Sequence, residues 1–444
     1  RKYSRFSAAT IMTGSDIFKF SDYDCIGFDL DNTLVQYNVK NMVTMEYETL
    51  TNFLIQKKRY SEKFLQQPVD YDFLQKGLII DFQRGNILKI DSSGYIHKAT
   101  HGTKKLTDEQ ILEYYGEDRN WEVTDEYVQN MLVAWNGPLS LKLRTVLDYF
   151  DIASTLIFGR IVDSLDHAAG KVVGQYNIWP HILDGLIHMY SKEHFGVNLG
   201  GYFKAMKTSP DLYIHKTSES VINWLRKLRE ERKITYLITG SHIDFANFTA
   251  TYAMGSNWRE LFDFVVCFAK KPGFFTASRP FVKLNGILET VSVTSVKDIN
   301  EKLVYSQGNW RDLTHLLTRL SGIKKPKFLY VGDNLIQDVY TPSKYTKCDT
   351  VAIVEEMLGE GMKNIQQKHI DSELLQSKFW GSYFSINEDE STLWADIIKT
   401  HSKICVPNMD TLAEHSIDFE YNSFTEDLNN SNGYYPNEPL HLIK

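Results

Sequence analysis

Asp24-Cys25-Ile26-Gly27-Phe28-Asp29-Leu30-Asp31-Asn32-Thr33-Leu34-Val35 is the stretch around which the chain is organised. Cys25 to Phe28 is short, apolar and uncharged, as a strand buried on both faces of a parallel sheet requires. It runs straight into Asp29, with Asp31 two residues on and Thr33 after that. Two carboxylates at the end of a buried strand are costly to desolvate, so their charge needs compensation. The carboxyl ends of strands are where ligands gather in open α/β sheets, and the pair predicts a divalent cation with an anionic substrate. The alternative is that both are ordinary turn residues.

Further strands of the same kind follow only after a long interval. Ser218 to Lys233 predicts an amphipathic helix with Val221, Leu225 and Leu228 on its apolar stripe. Ile234-Thr-Tyr-Leu-Ile-Thr-Gly-Ser reads as a second buried strand, Phe262 to Phe268 as a third, Phe328 to Asp333 as a fourth and Thr350 to Val354 as a fifth. Helices are expected between them at about 243–254 and 309–321. This alternation predicts an α/β fold with a doubly wound parallel sheet. The interval lacks buried parallel strands: a helix over 46–60, a meander of hairpins from Gly77 to Gly102, and helices at 108–117, 139–170 and 179–194. The expected organisation is a leader over 1–20, a core over 21–40 and 215–358, an inserted α+β cap over 41–214, and a C-terminal extension over 359–444. The tail at 422–437 reads as mobile, with Gly433-Tyr434-Tyr435-Pro436 as a segment that docks on the body.

Polar residues stand at the ends of four of these strands. Thr239 and Ser241 follow the second, and they suit either a phosphoryl oxygen or the cap of the next helix. Lys271 lies after the third and offers a fixed positive charge, although its neighbour Lys270 makes a solvated pair the alternative. Asp333, in Val331-Gly332-Asp333-Asn334-Leu335-Ile336-Gln337-Asp338, adds a carboxylate for a hard cation such as Mg²⁺.

In this order the residues resemble the motifs of the haloacid dehalogenase-like (HAD) phosphatases: D-x-D-x-T, a strand-end Thr, a downstream Lys and G-D-x4-D. Within that superfamily the chain is similar to the cytosolic purine 5′-nucleotidase family, through Lys271-Pro272-Gly273-Phe274-Phe275 and the hairpin from Gly85-Asn86 to His101-Gly102. Ser306-Gln307-Gly308-Asn309 and Gly433 to Pro436 extend the likeness to one of its subfamilies. The resemblance implies a Mg²⁺-dependent phosphoric monoester hydrolase acting on nucleoside monophosphates through an aspartyl-phosphate. It implies Asp29 as nucleophile, Asp31 as general acid and base, and Thr239 and Lys271 as phosphate-binding groups. The implied metal ligands are Asp29, Asp333 and the backbone carbonyl of Asp31, with Thr33, Ser241 and Asp338 in support. Phe150 and His188 match the substrate-contacting positions, with a core aromatic of the cap as the alternative for Phe150.

Two departures bear on specificity. The second motif reads Thr239-Gly240-Ser241, without the family's central Asn, and His181 and Gly185 stand where the purine enzymes carry an Arg and an Asp. Weak discrimination between purine and pyrimidine bases is therefore expected. These losses also raise a second class of function: a catalytically weak or inactive interaction or regulatory protein that keeps the metal site.

The composition fits either class. At 444 residues the chain exceeds one comfortable core. A net charge of −7 argues against a nucleic-acid-binding face, and no apolar run approaches the roughly 20 residues of a membrane span. Four scattered cysteines form no C-x-x-C pair and fit a reducing compartment, so a cytoplasmic location is expected. Residues 1–15 are basic and acid-free, which also fits a mitochondrial presequence remnant; a plain leader is the other reading. The expected partner is a small-molecule phosphate ester, with no nucleic acid and no membrane, and a homo-oligomer is compatible with the sequence.

Overall fold

Cys25–Phe28 is a strand with all four residues buried, and it lies in the middle of a nine-stranded sheet. A computed structural model describes residues 17–365, 375–387, 390–425 and 432–440 of the chain. In the sheet the strand is flanked by Ile234–Ile238 on one side and Phe328–Gly332 on the other, both parallel to it. Phe264–Cys267 and Val304–Gln307 continue the parallel sheet on the first side, Cys348–Ile353 and Ile404–Val406 on the second. The strand order therefore reverses direction at Cys25–Phe28, and the crevice at such a switch point is where α/β sheets bind ligands.

Both faces of the sheet are covered. Phe28, Leu237, Val265 and Val331 pack with Leu225 and Leu228 of the helix Glu219–Glu230. Tyr236, Ile238, Phe264 and Val266 pack with Leu313, Leu316 and Leu317 of the helix Trp310–Ser321. Gly27 is required by this layering, because a Cβ there would lie 2.1 Å from the Tyr236 ring. The described residues thus form a mixed α/β fold around a sheet that is parallel across seven strands, with Phe281–Asn285 and Leu288–Ser292 antiparallel at one edge, where an all-parallel sheet was expected.

Between Cys25–Phe28 and Ile234–Ile238 the chain builds a second, five-stranded sheet, antiparallel throughout. Its strands are Lys104–Lys105, Ile96–His101, Asn86–Ile90, Leu78–Asp81 and Leu143–Val146, in spatial order. Helices Val39–Lys58, Ala153–Ala169, Trp179–Met189 and Tyr202–Thr208 accompany it.

Several expectations need correction. The helix expected over 139–170 holds only from Ala153 to Ala169; Leu143–Val146 is a strand that pairs with Leu78–Asp81. Thr145 and Val146 are β-branched and fit a pleated sheet, and apolar residues on both sides imitate a helical run. The helix expected from residue 46 begins at Val39, capped by Asn38, whose side chain accepts from the Asn41 amide. Within the leader expected over 1–20, Ile17–Phe18 pairs with Tyr421–Asn422; residues 1–16 lie outside the described residues. Ile404–Val406 was not expected as a strand, because three residues carry no period. Cys405 exchanges backbone bonds with Gly433 and Tyr435, so that end of the tail is docked. Residues 426–431 lie outside the described ones. No helix among the described residues is long and apolar enough to cross a membrane.

Candidate active site

Adjacent strands deliver the first two carboxylates. The Asp29 amide donates to the Val331 carbonyl at 2.9 Å, which sets Asp29 beside Asp333 at the ends of two paired strands. After Asp333 the chain makes a π-helical turn, Leu335–Tyr340, that swings Asp338 back over the strand end. Wider turns of this kind often occur at functional sites. Gly332 is needed for the return, since a Cβ would stand 2.5 Å from that of Asp338. Carboxylate oxygens of Asp29, Asp333 and Asp338 then lie within 4.8 Å of one another.

Lys271 enters this cluster from the loop after Phe264–Cys267. Its Nζ is 2.8 Å from Asp29 Oδ1 and 2.7 Å from Asp338 Oδ1, and its side chain is 3% exposed. Burial works against the ammonium, but the two carboxylates outweigh it and hold the Lys271 pKa above its ordinary value. Lys270 is the solvated member of the pair, turned out in a left-handed conformation with its Nζ over the Phe268 ring. One lysine among three carboxylates leaves an excess of buried negative charge. Burial drives the Asp333 carboxyl upward, and the charges of Asp148, Asp29 and Asp338 add to it. The all-oxygen donor set and its unbalanced charge fit a hard divalent cation held by Asp29 and Asp333, with Asp338 close by.

Asp31 takes no part in that cluster. Its carboxylate accepts from the Tyr37 hydroxyl at 2.6 Å and the Ser241 hydroxyl at 2.6 Å, with Thr239 at 3.4 Å. Burial and the neighbouring Asp29 charge raise its pKa, while the Ser241 and Tyr37 hydrogen bonds and Lys271 oppose the rise. Ser241 therefore does not cap the following helix, whose N-cap is His242. Thr239 is fully buried and accepts from the Ser241 amide at 3.0 Å. Thr33 donates to Asp333 Oδ1 at 3.1 Å.

Ser241 and Gly240 also form part of the wall of a cavity of about 280 Å³, lined further by Phe150, Tyr190, Tyr202, Phe245 and Phe268. Lys192, His242 and Asp244 add polar groups. Phe150 is thus brought to the site, and His188 is not. His188 is exposed on its helix and packs on Phe53 and His194. His181 bonds Tyr60 at 2.7 Å, and a Cβ on Gly185 would come 2.3 Å from Leu50. That face of the helix packs against its neighbour, and Tyr190, just past the helix end, lines the cavity instead.

Sequence reasoning missed Asp148, which follows the strand Leu143–Val146 and stands between Asn32 and Asn334, each amide 3.5 Å away. Burial and Asp151 push its carboxyl up to about 6. Its signal, an acid just after a strand, was hidden by the helical reading of that region. Lys76 was missed as well; it pairs with Glu356 at 2.9 Å and lies over the Tyr149 ring.

A sequence profile described as the 5′ nucleotidase family matches residues 16–378. The chain is 34% identical to 5′-nucleotidase domain-containing protein 1 of Homo sapiens, over 96% of this chain and 97% of that protein. It is 32% identical to the Bos taurus protein of the same name, over the same shares of each chain. It is 27% identical to 5′-nucleotidase domain-containing protein 2 of Rattus norvegicus, over 76% and 57%. With the profile spanning most of its length, this chain belongs to the 5′ nucleotidase family.

Proposed function

We propose that the protein is a Mg²⁺-dependent phosphoric monoester hydrolase with a HAD-like core, acting on nucleoside monophosphates beneath a cap formed by residues 41–214. The observation that carries this reading is the placement of Lys271 between Asp29 and Asp338, with Asp333 beside them. Family membership and the printed names of its relatives point to the same substrate class.

In this mechanism an Asp29 oxygen attacks phosphorus, and the Asp29–phosphorus bond forms as the bond to the leaving oxygen breaks. Asp31 gives its proton to that oxygen, releasing an alcohol. A water then attacks phosphorus and passes a proton back to Asp31 as the Asp29–phosphorus bond breaks, which frees orthophosphate and restores the Asp29 carboxylate and the protonated Asp31. The raised pKa of Asp31 suits it to start protonated, while Ser241 and Tyr37 hold its orientation. Thr239 and Lys271 face the transferred phosphoryl group as hydroxyl donor and fixed charge. Mg²⁺, held by Asp29, Asp333 and the Asp31 carbonyl, would neutralise charge on the phosphoryl oxygens. A screen of phosphate monoesters with Mg²⁺, with Asp29→Asn as the blank, tests the reading; equal activity in the blank would refute it.

Gly240 favours a second reading. It lacks the amide that the family's central Asn would offer, as expected of a member that has traded turnover for a binding or regulatory role. The buried Asp29, Lys271 and Asp338 contacts weigh against that reading.

A further inference from the structure

The chain crosses from the parallel sheet to the five-stranded sheet and back through two short segments that lie side by side. The Asn38 amide donates to the Tyr213 carbonyl and the His215 amide to the Gln36 carbonyl, both at 2.9 Å, and between them Tyr37 and Ile214 pair as an antiparallel bridge. Tyr37 thus lies in the outgoing crossing, just ahead of the helix Val39–Lys58, and it is buried. Its hydroxyl donates to Asp31 Oδ1 at 2.6 Å, while its ring meets the Phe150 ring edge to face at 5.4 Å. Phe150 is half-buried and lines the cavity, and its carbonyl accepts from the Tyr190 hydroxyl at 2.7 Å. Of the three hydroxyls on the Asp31 carboxylate, Ser241 and Thr239 come from the end of Ile234–Ile238. Tyr37 alone of the three comes from a crossing and also touches the cavity wall.

We propose that Tyr37 is a positioning residue that ties the Asp31 carboxyl to the Phe150 wall of the cavity. An ester whose organic group packs on Phe150 is then turned over faster than one with the same leaving oxygen and no such group. The proposal rests on the reading above that Asp31 protonates the leaving oxygen and the cavity receives the esterified group. A ring in the cavity confines the Phe150 ring, Phe150 in turn confines Tyr37, and Tyr37 keeps Asp31 oriented for proton transfer. The Tyr37–Asp31 bond is 2.6 Å long, and a shift of about 1 Å takes such a contact out of hydrogen-bond range. Misplacement on that scale slows a reaction by up to about 10²-fold. Binding remote from the phosphate is thereby expressed in kcat and not only in KM.

The test compares three esters in the wild-type chain and in Tyr37→Phe, with Mg²⁺ present. Uridine 5′-monophosphate and ribose 5-phosphate both release a primary alcohol, and only the first carries a ring for the cavity. Nitrophenyl phosphate carries a ring, but its leaving group needs little protonation. Wild-type kcat should be about tenfold higher on uridine monophosphate than on ribose 5-phosphate, the worth of one hydrogen bond. Tyr37→Phe should lower kcat on uridine monophosphate by about tenfold while KM moves by less than about twofold. On ribose 5-phosphate and nitrophenyl phosphate its loss should shrink to about twofold. Equal wild-type kcat on the two sugar phosphates would overturn the proposal. So would a loss in Tyr37→Phe that is the same on all three esters or that falls on KM, since Tyr37 then only supports the fold. Either result, obtained with an active wild type, leaves the hydrolase reading standing. No hydrolysis of any ester by the wild type removes that reading and this proposal with it.

Discussion

Ser241 and Asp31 lie 210 positions apart in the chain and are joined by a hydrogen bond of 2.6 Å from the serine hydroxyl to the carboxylate. With Tyr37 on the other carboxylate oxygen, Asp31 is held at both ends. This leaves it beside the Asp29 cluster but outside it, where a proton carrier for the leaving group belongs.

Asp31→Asn removes that proton and keeps the side chain's size. Turnover should fall by about 10²–10⁴-fold on a nucleoside monophosphate. The loss should be smaller on nitrophenyl phosphate, whose leaving group needs little protonation. Steady-state kinetics on both substrates check this, and an equal loss on both would remove Asp31 from the acid role.

Gly240 is exposed, carries no left-handed backbone strain, and a Cβ built on it meets nothing within 4 Å. Gly240→Asn should therefore fold with an unchanged melting temperature. It restores an amide donor beside the phosphate, so KM for a phosphate ester should drop by about fivefold, one neutral hydrogen bond. An unchanged KM would show that the missing amide is not what limits this site.

Asp29 and Asp31 were legible as a pair because their signal is local: two acids directly after a buried strand are costly to desolvate, although turn residues give the same pattern. Lys271 and Asp333 were each ambiguous alone, one beside a second lysine and the other in a turn, and became legible only through their order after successive strands. What could not be read was anything that depends on which face a helix turns. His181, Gly185 and His188 share one face of Trp179–Met189, but only coordinates show it packed on Leu50 and Phe53. Asp148 was lost when a four-residue strand was read as part of a helix. The burial of Glu46 and Tyr202, each with an unpartnered polar atom, is a property of packing that the sequence does not carry.

Excess negative charge at Asp29, Asp333 and Asp338 should make the folded protein a better cation binder than the unfolded chain. Saturating Mg²⁺ should raise the melting temperature by about 3 °C, and a chelator should reverse it. Asp333→Asn should abolish the Mg²⁺-dependent part of the shift. Differential scanning calorimetry measures this without any substrate.

His401 packs beside Tyr340 and Ser343, where burial and then Lys344 push its pKa down to about 4. The unfolded chain binds this proton near pH 6.5 and the folded one does not. Stability is therefore fully present above pH 6.5 and declines as pH falls toward 4, by about 3 kcal/mol for this residue. Urea titrations across that range should show the decline, and His401→Gln should flatten it.

The central claim is that Asp29 becomes phosphorylated during turnover. The direct measurement is to quench the reacting enzyme in acid, reduce with borohydride, and sequence the peptide spanning residues 24–35 by mass spectrometry. An aspartyl-phosphate is reduced to homoserine, so homoserine should appear at position 29 only when substrate and Mg²⁺ are both present, and never in Asp29→Asn. Hydrolysis that proceeds with unmodified Asp29, or with the phosphoryl group on another residue, would contradict the account.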